Sequence, residues 1–258
     1  MNVLIGLPIY DRAWIVPDWF AAIEQQNFPL ENLGFIFITA PHDPETIREL
    51  VRWSEAHPQV TCFDIVTNYD EPHDGHPEGS RIWTHAKYAK MATLRNQLLD
   101  LVTCREPDLF FSLDSDILLE NPNTIRYLAQ LSAHLPAISP LLYMTPQNID
   151  FPSTMSWLDN PGERAARAPD YPIGTVFQTD VIMAAKMMTP DVYRRVRYEF
   201  HHQGEDLGWS AQAARLGIPL YAATTIYCPH IMSRSKLLEY KESGDIRKGI
   251  VNGRNSQS

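Results

Sequence analysis

The sequence has little cysteine, no excess of positive charge and no long apolar run. Its three cysteines, Cys62, Cys104 and Cys228, are odd in number and far apart in a chain of 258 residues. That excludes a disulfide framework and fits a reducing compartment. Lysine and arginine total 22 against 31 acidic residues, for a formal charge of −9 and a pI near 5.4. This balance excludes a broad phosphate-coating surface but leaves room for a small basic pocket. No stretch reaches the roughly 18 consecutive apolar residues of a membrane span. Met1–Tyr10 is apolar but lacks the basic start of a signal peptide. A soluble, cytoplasmic protein is the expectation.

Enough apolar material is present, at 44% with 10% aromatic, to fill a core and exclude a disordered chain. The length fits one large domain. Short apolar runs alternate with helix-length stretches: Val3–Leu7, Leu33–Thr39, Val60–Val66 and Leu109–Leu113 read as strands. Val16–Gln26, Pro44–Ala56 and Trp83–Val102 read as the helices between them. Strands apolar on both faces and separated by helices predict an α/β fold with a parallel sheet. Beyond residue 120 the pattern loosens into a helix at Asn121–Ser132, a strand at Ala137–Met144 and a long polar loop over 145–171. It tightens at Gly174–Met188, at the helix Asp206–Leu216 and at the strand Pro219–Thr224. Residues 244–258 read as a polar, mobile tail behind a single domain over 1–243.

Four features break the apolar pattern. The run Leu109–Leu113 leads directly into Asp114-Ser115-Asp116, two carboxylates at i and i+2. In an extended chain they leave one face, and ligands of open α/β sheets bind beyond the carboxyl ends of strands. Paired hard oxygen donors there suit Mg2+ or Mn2+ with a phosphate ligand; an Asp-rich turn before the next helix is the plainer alternative. On Trp83–Val102, Lys87 and Arg95 fall within the apolar arc of Met91, Leu94, Leu98, Leu101 and Val102. An inward cation needs a matching charge, unless it snorkels at the helix edge. Gln203–Trp209 places a glycine and the acids Glu205 and Asp206 at a helix start, where the macrodipole also favours acids. Trp209 there reads as a stacking platform or as core. Last, His230 follows Pro229 just after the final strand.

Taken in order, Leu7-Pro8-Ile9-Tyr10, Leu94-Arg95-Asn96, Asp114-Ser115-Asp116, Gly204-Glu205-Asp206 and His230 resemble the GT-A-type nucleotide-sugar glycosyltransferases of the family 2 and Anp1-like kind. The resemblance spans the chain from its start to about residue 232. It implies a Rossmann-like, mixed and mostly parallel central sheet flanked by helices, with a nucleotide-sugar half over 1–120 and an acceptor half over 121–243. Pro8, Tyr10 and Arg12 would line the base and ribose, with Thr39 and Asp43 beside them. Lys87, Arg95, Asn96, Asp114 and Ser115 would hold the nucleotide sugar. Asp114, Asp116 and His230 would bind Mn2+ or Mg2+. Asp206 would be the catalytic base of an inverting transfer, and Glu205 would orient the acceptor. One departure stands out: where family 2 members carry acids and serine after the second strand, this chain has Thr39-Ala40-Pro41-His42-Asp43, and only Asp43 matches.

The donor implied is a UDP- or GDP-sugar. The acceptor is a glycan, a small molecule or, less in keeping with the acidic charge, a modified DNA base. Trp209, Tyr171 and Phe177, with Phe151 and Trp157, are the aromatic candidates to stack on it. A nucleotidylyltransferase is the nearest rival, but Gly6–Arg12 holds one glycine and no glycine-rich basic loop. A non-catalytic nucleotide- or glycan-binding module would not need the Glu205-Asp206 pair. A zinc hydrolase built on His73, His76, His201 and His202 matches no helical zinc spacing.

Overall fold

Runs that are apolar on both sides must be covered on both sides, and the chain does so with one sheet between two helical layers. The computed structural model describes residues 1–68, 83–143, 154–167 and 171–243. Strands β1 (Val3–Ile9), β2 (Leu33–Thr39), β3 (Cys62–Thr67), β4 (Leu109–Leu113) and β5 (Ala137–Tyr143) follow in chain order. The short pair β6 (Met155–Trp157) and β7 (Ala165–Arg167) forms its own antiparallel ribbon. Strands β8 (Val176–Thr179), β9 (Ala185–Met188) and β10 (Leu220–Pro229) return to the main sheet. Its order is β3-β2-β1-β4-β9-β5-β10-β8. β9 runs antiparallel to both β4 and β5, and β8 is antiparallel to β10; the other neighbouring pairs are parallel.

The helices are α1 (Val16–Glu24), α2 (Pro44–Ala56), α3 (His85–Arg105), α4 (Thr124–Leu131), α5 (Pro190–Arg195), α6 (Glu205–Arg215) and α7 (Arg234–Ser243). Strand alternation sorts the core into two layers. Val3, Ile5 and Leu7 of β1 join Phe35 and Phe37 of β2 under α1, α2 and α4, where Phe20 stacks on Trp53 at 4.0 Å. Leu4, Ile36 and Ile38 face the opposite way, towards α3, α5 and α6. Starts are locally encoded: Asp43 caps α2 by accepting from the Thr46 amide at 3.2 Å, with Pro44 in the first turn. Thr84 caps α3 in the same way.

Two expectations are corrected here. The long loop over 145–171 contains the β6–β7 ribbon, because Ala165 is anchored through both its backbone groups by the Gln203 amide. The tightening over Gly174–Met188 is two separate strands, and α5 and α7 carried no apolar periodicity strong enough to announce them. The expected tail at 244–258, together with Phe151, lies outside the described residues.

One glycine fixes how deeply α6 sits. A Cβ on Gly208 would lie 2.0 Å from the Glu199 carbonyl oxygen, a backbone atom that cannot swing away. Gly208→Ala should therefore push α6 off its seat and cost about 3 kcal/mol or more, at the upper end for overpacking. Thermal melts of the two proteins check this, and an unchanged midpoint would show that the helix can shift freely.

Candidate active site

The carboxyl ends of β1, β4 and β10 and the opening turn of α6 surround one open cleft of about 210 Å³. Pro8, Arg12, Arg95, Asp114, Ser115, Asp116, Glu205, Asp206 and His230 all line it. Residues distant in sequence thus meet at the sheet edge where α/β ligands bind.

Arg95 organises the centre. It is 2% exposed, and its Nη2 donates to both Asp114 oxygens at 2.8 and 2.9 Å. Nε donates to Glu205 at 3.1 Å, and Nη1 to the Ser112 hydroxyl at 3.3 Å. Burial works against the charged guanidinium, but Asp114, Asp206 and Glu205 outweigh it and hold its pKa well above the usual value. The inward-facing arginine of the helix pattern is matched by charge, as the energetics of burial demand.

The two aspartates do not share a face. Ser115 and Asp116 form a turn, closed by the Ile117 amide donating to the Asp114 carbonyl at 3.1 Å. That turn sends Asp114 to Arg95, while Asp116 stands 3.6 Å from Arg12 and 3.4 Å from Nε2 of His230. Backbone bonds from Ile231 to the Asp116 carbonyl and from Leu118 to Pro229 lock the turn against the end of β10. Burial disfavours the His230 cation, yet Asp116 overcomes this and raises its pKa.

These positions bear on a divalent ion. Two donors on one octahedral Mg2+ or Mn2+, each about 2.1 Å from it, stand about 3 Å apart. The separation of Asp116 and His230 is close to that. Mg2+ characteristically takes one or two protein ligands and completes its shell with substrate phosphates and water, so the donor set fits. Asp114, expected as a further ligand, has both its oxygens accepting from Arg95. Among the described residues, no three His, Cys, Asp or Glu side chains converge on one point. The zinc alternative has no support among them: His201 is tied to the Glu163 carbonyl and the Gln203 amide. His73 and His76 lie outside the described residues.

Asp43 supports the loop that carries Arg12. One Asp43 oxygen caps α2 and the other accepts from the Asp11 amide at 2.7 Å. Asp11 holds a left-handed φ of 51°, and the next amide, that of Arg12, donates to Thr46 at 3.0 Å. This loop aims Arg12 into the cleft. Thr39 is buried at the end of β2, and Tyr10 packs edge-on against His42. Lys87 is half-buried in the first turn of α3 and does not line the cleft. Asn96 uses its amide to clamp the Tyr198 backbone with two bonds of 2.8 Å.

The aromatic expectations change most. Trp209 is fully buried, so its ring cannot stack on an acceptor. Tyr171 and Phe177 stack on each other beside β8 and do not line the cleft. The rings that do line it are Trp83 and Tyr88, stacked at 5.4 Å with 9° between their planes. Lys186 is the other residue the sequence reading missed. It sits on β9, 0% exposed, with Nζ 2.5 Å from an Asp206 oxygen. The signal was present: it is the lone charge in the apolar run Val181–Met188.

An eight-stranded sheet of this order, flanked by helices and carrying a carboxylate-rich cleft at its carboxyl edge, is the GT-A fold of nucleotide-sugar glycosyltransferases. Residues 1–159 match the model of the glycosyltransferase family 25 N-terminal domain, and the chain belongs to that family. A glycosyltransferase 25 family member of Aedes aegypti is 27% identical over 148 residues, covering 55% of this chain and 23% of that protein. The chain thus spans about a quarter of the length of the curated relatives it matches. The mannosyltransferase PcManGT of Pyrobaculum calidifontis, solved with GDP-Man and Mn2+, superposes with a TM-score of 0.59 at 12% identity, covering 89% of this chain and 57% of its own. GalNAc-T7, solved with UDP, GalNAc and Mn2+, gives 0.64 at 9% identity, covering 89% and 44%. No helix among the described residues is long and apolar enough to cross a membrane.

Glu205 offers a direct test of the site's electrostatics. Burial, then Asp206, raises its pKa, although Arg95 opposes them. A carboxyl group with a raised folded pKa stabilises the fold below its unfolded value of about 4.3 and loses that contribution as pH rises through the folded value. At pH 7 the carboxylate is therefore a net cost. Glu205→Gln should raise the melting temperature at pH 7, and the gain should vanish near pH 4. A variant less stable than the parent at both pH values would contradict this sign.

Proposed function

We propose that the chain moves a sugar from a UDP- or GDP-sugar to an acceptor hydroxyl with the help of Mn2+ or Mg2+, inverting the anomeric centre with Asp206 as base. The observation that carries this reading is that one cleft gathers two sets of charged groups. Asp116 pairs with Arg12 and His230, while Glu205 pairs with Arg95 and Asp206 with Lys186. Family membership supports the reaction class. The nucleotides and Mn2+ bound by the two solved neighbours support the donor and the ion.

In this reading Asp116 and His230 hold the ion, which when bound supplies positive charge to the leaving diphosphate. Arg12 adds fixed charge at the same end, already oriented by the Asp43–Thr46 loop contacts. Pro8 and Ser115 line the donor's path, and Arg95 holds Asp114 still beside it. Asp206 takes the acceptor's proton as the new bond forms. Glu205, on the neighbouring position of the same helical turn, orients the acceptor. Residues 1–120 supply the donor contacts apart from His230, and 121–243 the base. Trp83 and Tyr88 replace Trp209, Tyr171 and Phe177 as the aromatic wall for an acceptor sugar. Acceptor contacts then come from both halves of the chain.

Thermal-shift titration with UDP-, GDP-, CDP- and dTDP-sugars, with and without Mn2+, should show metal-dependent stabilisation by one nucleotide class. Asp116→Ala should abolish it. Stabilisation indifferent to both metal and Asp116 would rule out the metal-assisted reading. Release of pyrophosphate from a nucleoside triphosphate would favour the nucleotidylyltransferase instead. Trp83→Ala should leave donor binding intact and weaken acceptor use by about tenfold, the loss of one aromatic stacking contact; initial rates over a range of acceptor concentrations measure it.

A further inference from the structure

A lysine with no exposed surface in the middle of an apolar strand is a standing cost unless its charge does something. Lys186 pairs with Ser112 across β4 and β9, so the two side chains share a sheet face. On that face the Ser112 hydroxyl accepts from Arg95 and the Lys186 ammonium donates to Oδ1 of Asp206. Lys186 Nζ also lies 4.7 Å from the centre of the Trp209 ring and 5.1 Å from that of Tyr198, within cation–π range. Those rings give up hydrogen bonds to be there. Trp209 Nε1 and the Tyr198 hydroxyl are buried without a hydrogen-bond partner among the described residues. Polar atoms are rarely left so, and their positions make sense if the ring faces are committed to the ammonium.

We propose that Lys186 is a positioning residue for the base: it pins Oδ1 of Asp206, keeps the carboxylate ionised and leaves Oδ2 to receive the acceptor proton. This rests on the reading of Asp206 as the base. The step balances without a further reagent. The acceptor O–H proton passes to Oδ2 as its oxygen bonds to the anomeric carbon, and the bond from that carbon to the diphosphate oxygen breaks. Lys186 keeps its proton throughout: the carboxylate favours the ammonium before the transfer, and the Tyr198 and Trp209 ring faces favour it before and after.

The surroundings of Asp206 act in both directions. Burial raises its pKa; Lys186 of β9, Arg95 of α3 and His230 after β10 lower it and prevail. Glu205 on its own helix and Asp114 after β4 are the opposing acids. Removing Lys186 therefore takes away the cation that does most to hold Asp206 ionised.

The test uses the full chain labelled with carboxyl-¹³C aspartate, the Asp206 resonance being identified by its loss in Asp206→Asn. In Lys186→Met that resonance should titrate at least about one pH unit higher than in the parent. Turnover of the nucleotide sugar selected by thermal shift, with water as acceptor, should fall about tenfold or more in kcat with little change in donor KM. Its acid limb should move upward with the resonance. An unmoved titration and acid limb, with only the melting temperature lowered, would overturn the proposal and leave Lys186 as packing. Should Lys186→Met fold poorly, Lys186→Met/Asp206→Asn decides: a higher melting temperature in this charge-free pair than in Lys186→Met supports the coupling, and an equal or lower one refutes it. Turnover that survives Asp206→Asn would instead sink the base assignment, whatever Lys186 does.

Discussion

Everything at the cleft depends on how a buried guanidinium is neutralised. Arg95 cannot lose its proton, and at 2% exposure it cannot reach bulk water. The protein must bring acceptors to it, and those it brings belong to β4, the loop after β4 and the first turn of α6. One side chain on α3 thereby fixes the relative positions of three other pieces of the chain. Losing it would leave Asp114 and Glu205 buried and like-charged beside each other, an arrangement that breaking a buried ion pair makes costly.

The same neutralisation separates the acids by task. Asp114 and Asp116 are two residues apart, yet one pairs with Arg95 and the other with Arg12 and His230. Glu205 and Asp206 are adjacent, yet burial and like charge raise one pKa while Lys186 lowers the other. Environments that push neighbouring carboxylates apart are how one set of side chains supplies both a charge anchor and a proton acceptor.

Much of this was readable in the chain. Leu33–Thr39 and Leu109–Leu113 are strands over the residues their apolar runs marked, and Pro44–Ala56 is a helix from its Asp-Pro start to its end. The inward Arg95, the aspartates after β4 and the acids opening α6 were conspicuous because polar groups in apolar settings need partners. What failed to show was direction and depth. Periodicity places Asp114 and Asp116 after a strand but does not reveal the turn at Ser115 that parts them. A tryptophan beside a glycine looks alike whether the glycine opens a pocket or lets a helix bury the ring. Here Gly208 admits the Glu199 backbone and Trp209 goes to the core. Lys186 is illegible for a related reason: its partner lies 20 residues away, beyond any local spacing rule.

β9 has a consequence of its own. It is the reversed strand between two parallel groups, β3-β2-β1-β4 and β5-β10, so it begins at the edge where its neighbours end. A residue delivered by such a strand comes from inside the sheet rather than from a surface loop, and it cannot be exchanged as loop residues are. Position 186 is bound to positions 198, 206 and 209 by charge and by ring faces at once. Divergence at this end of the cleft is therefore restricted to changes that rewrite the four together, while the Trp83 wall is open to alter one residue at a time.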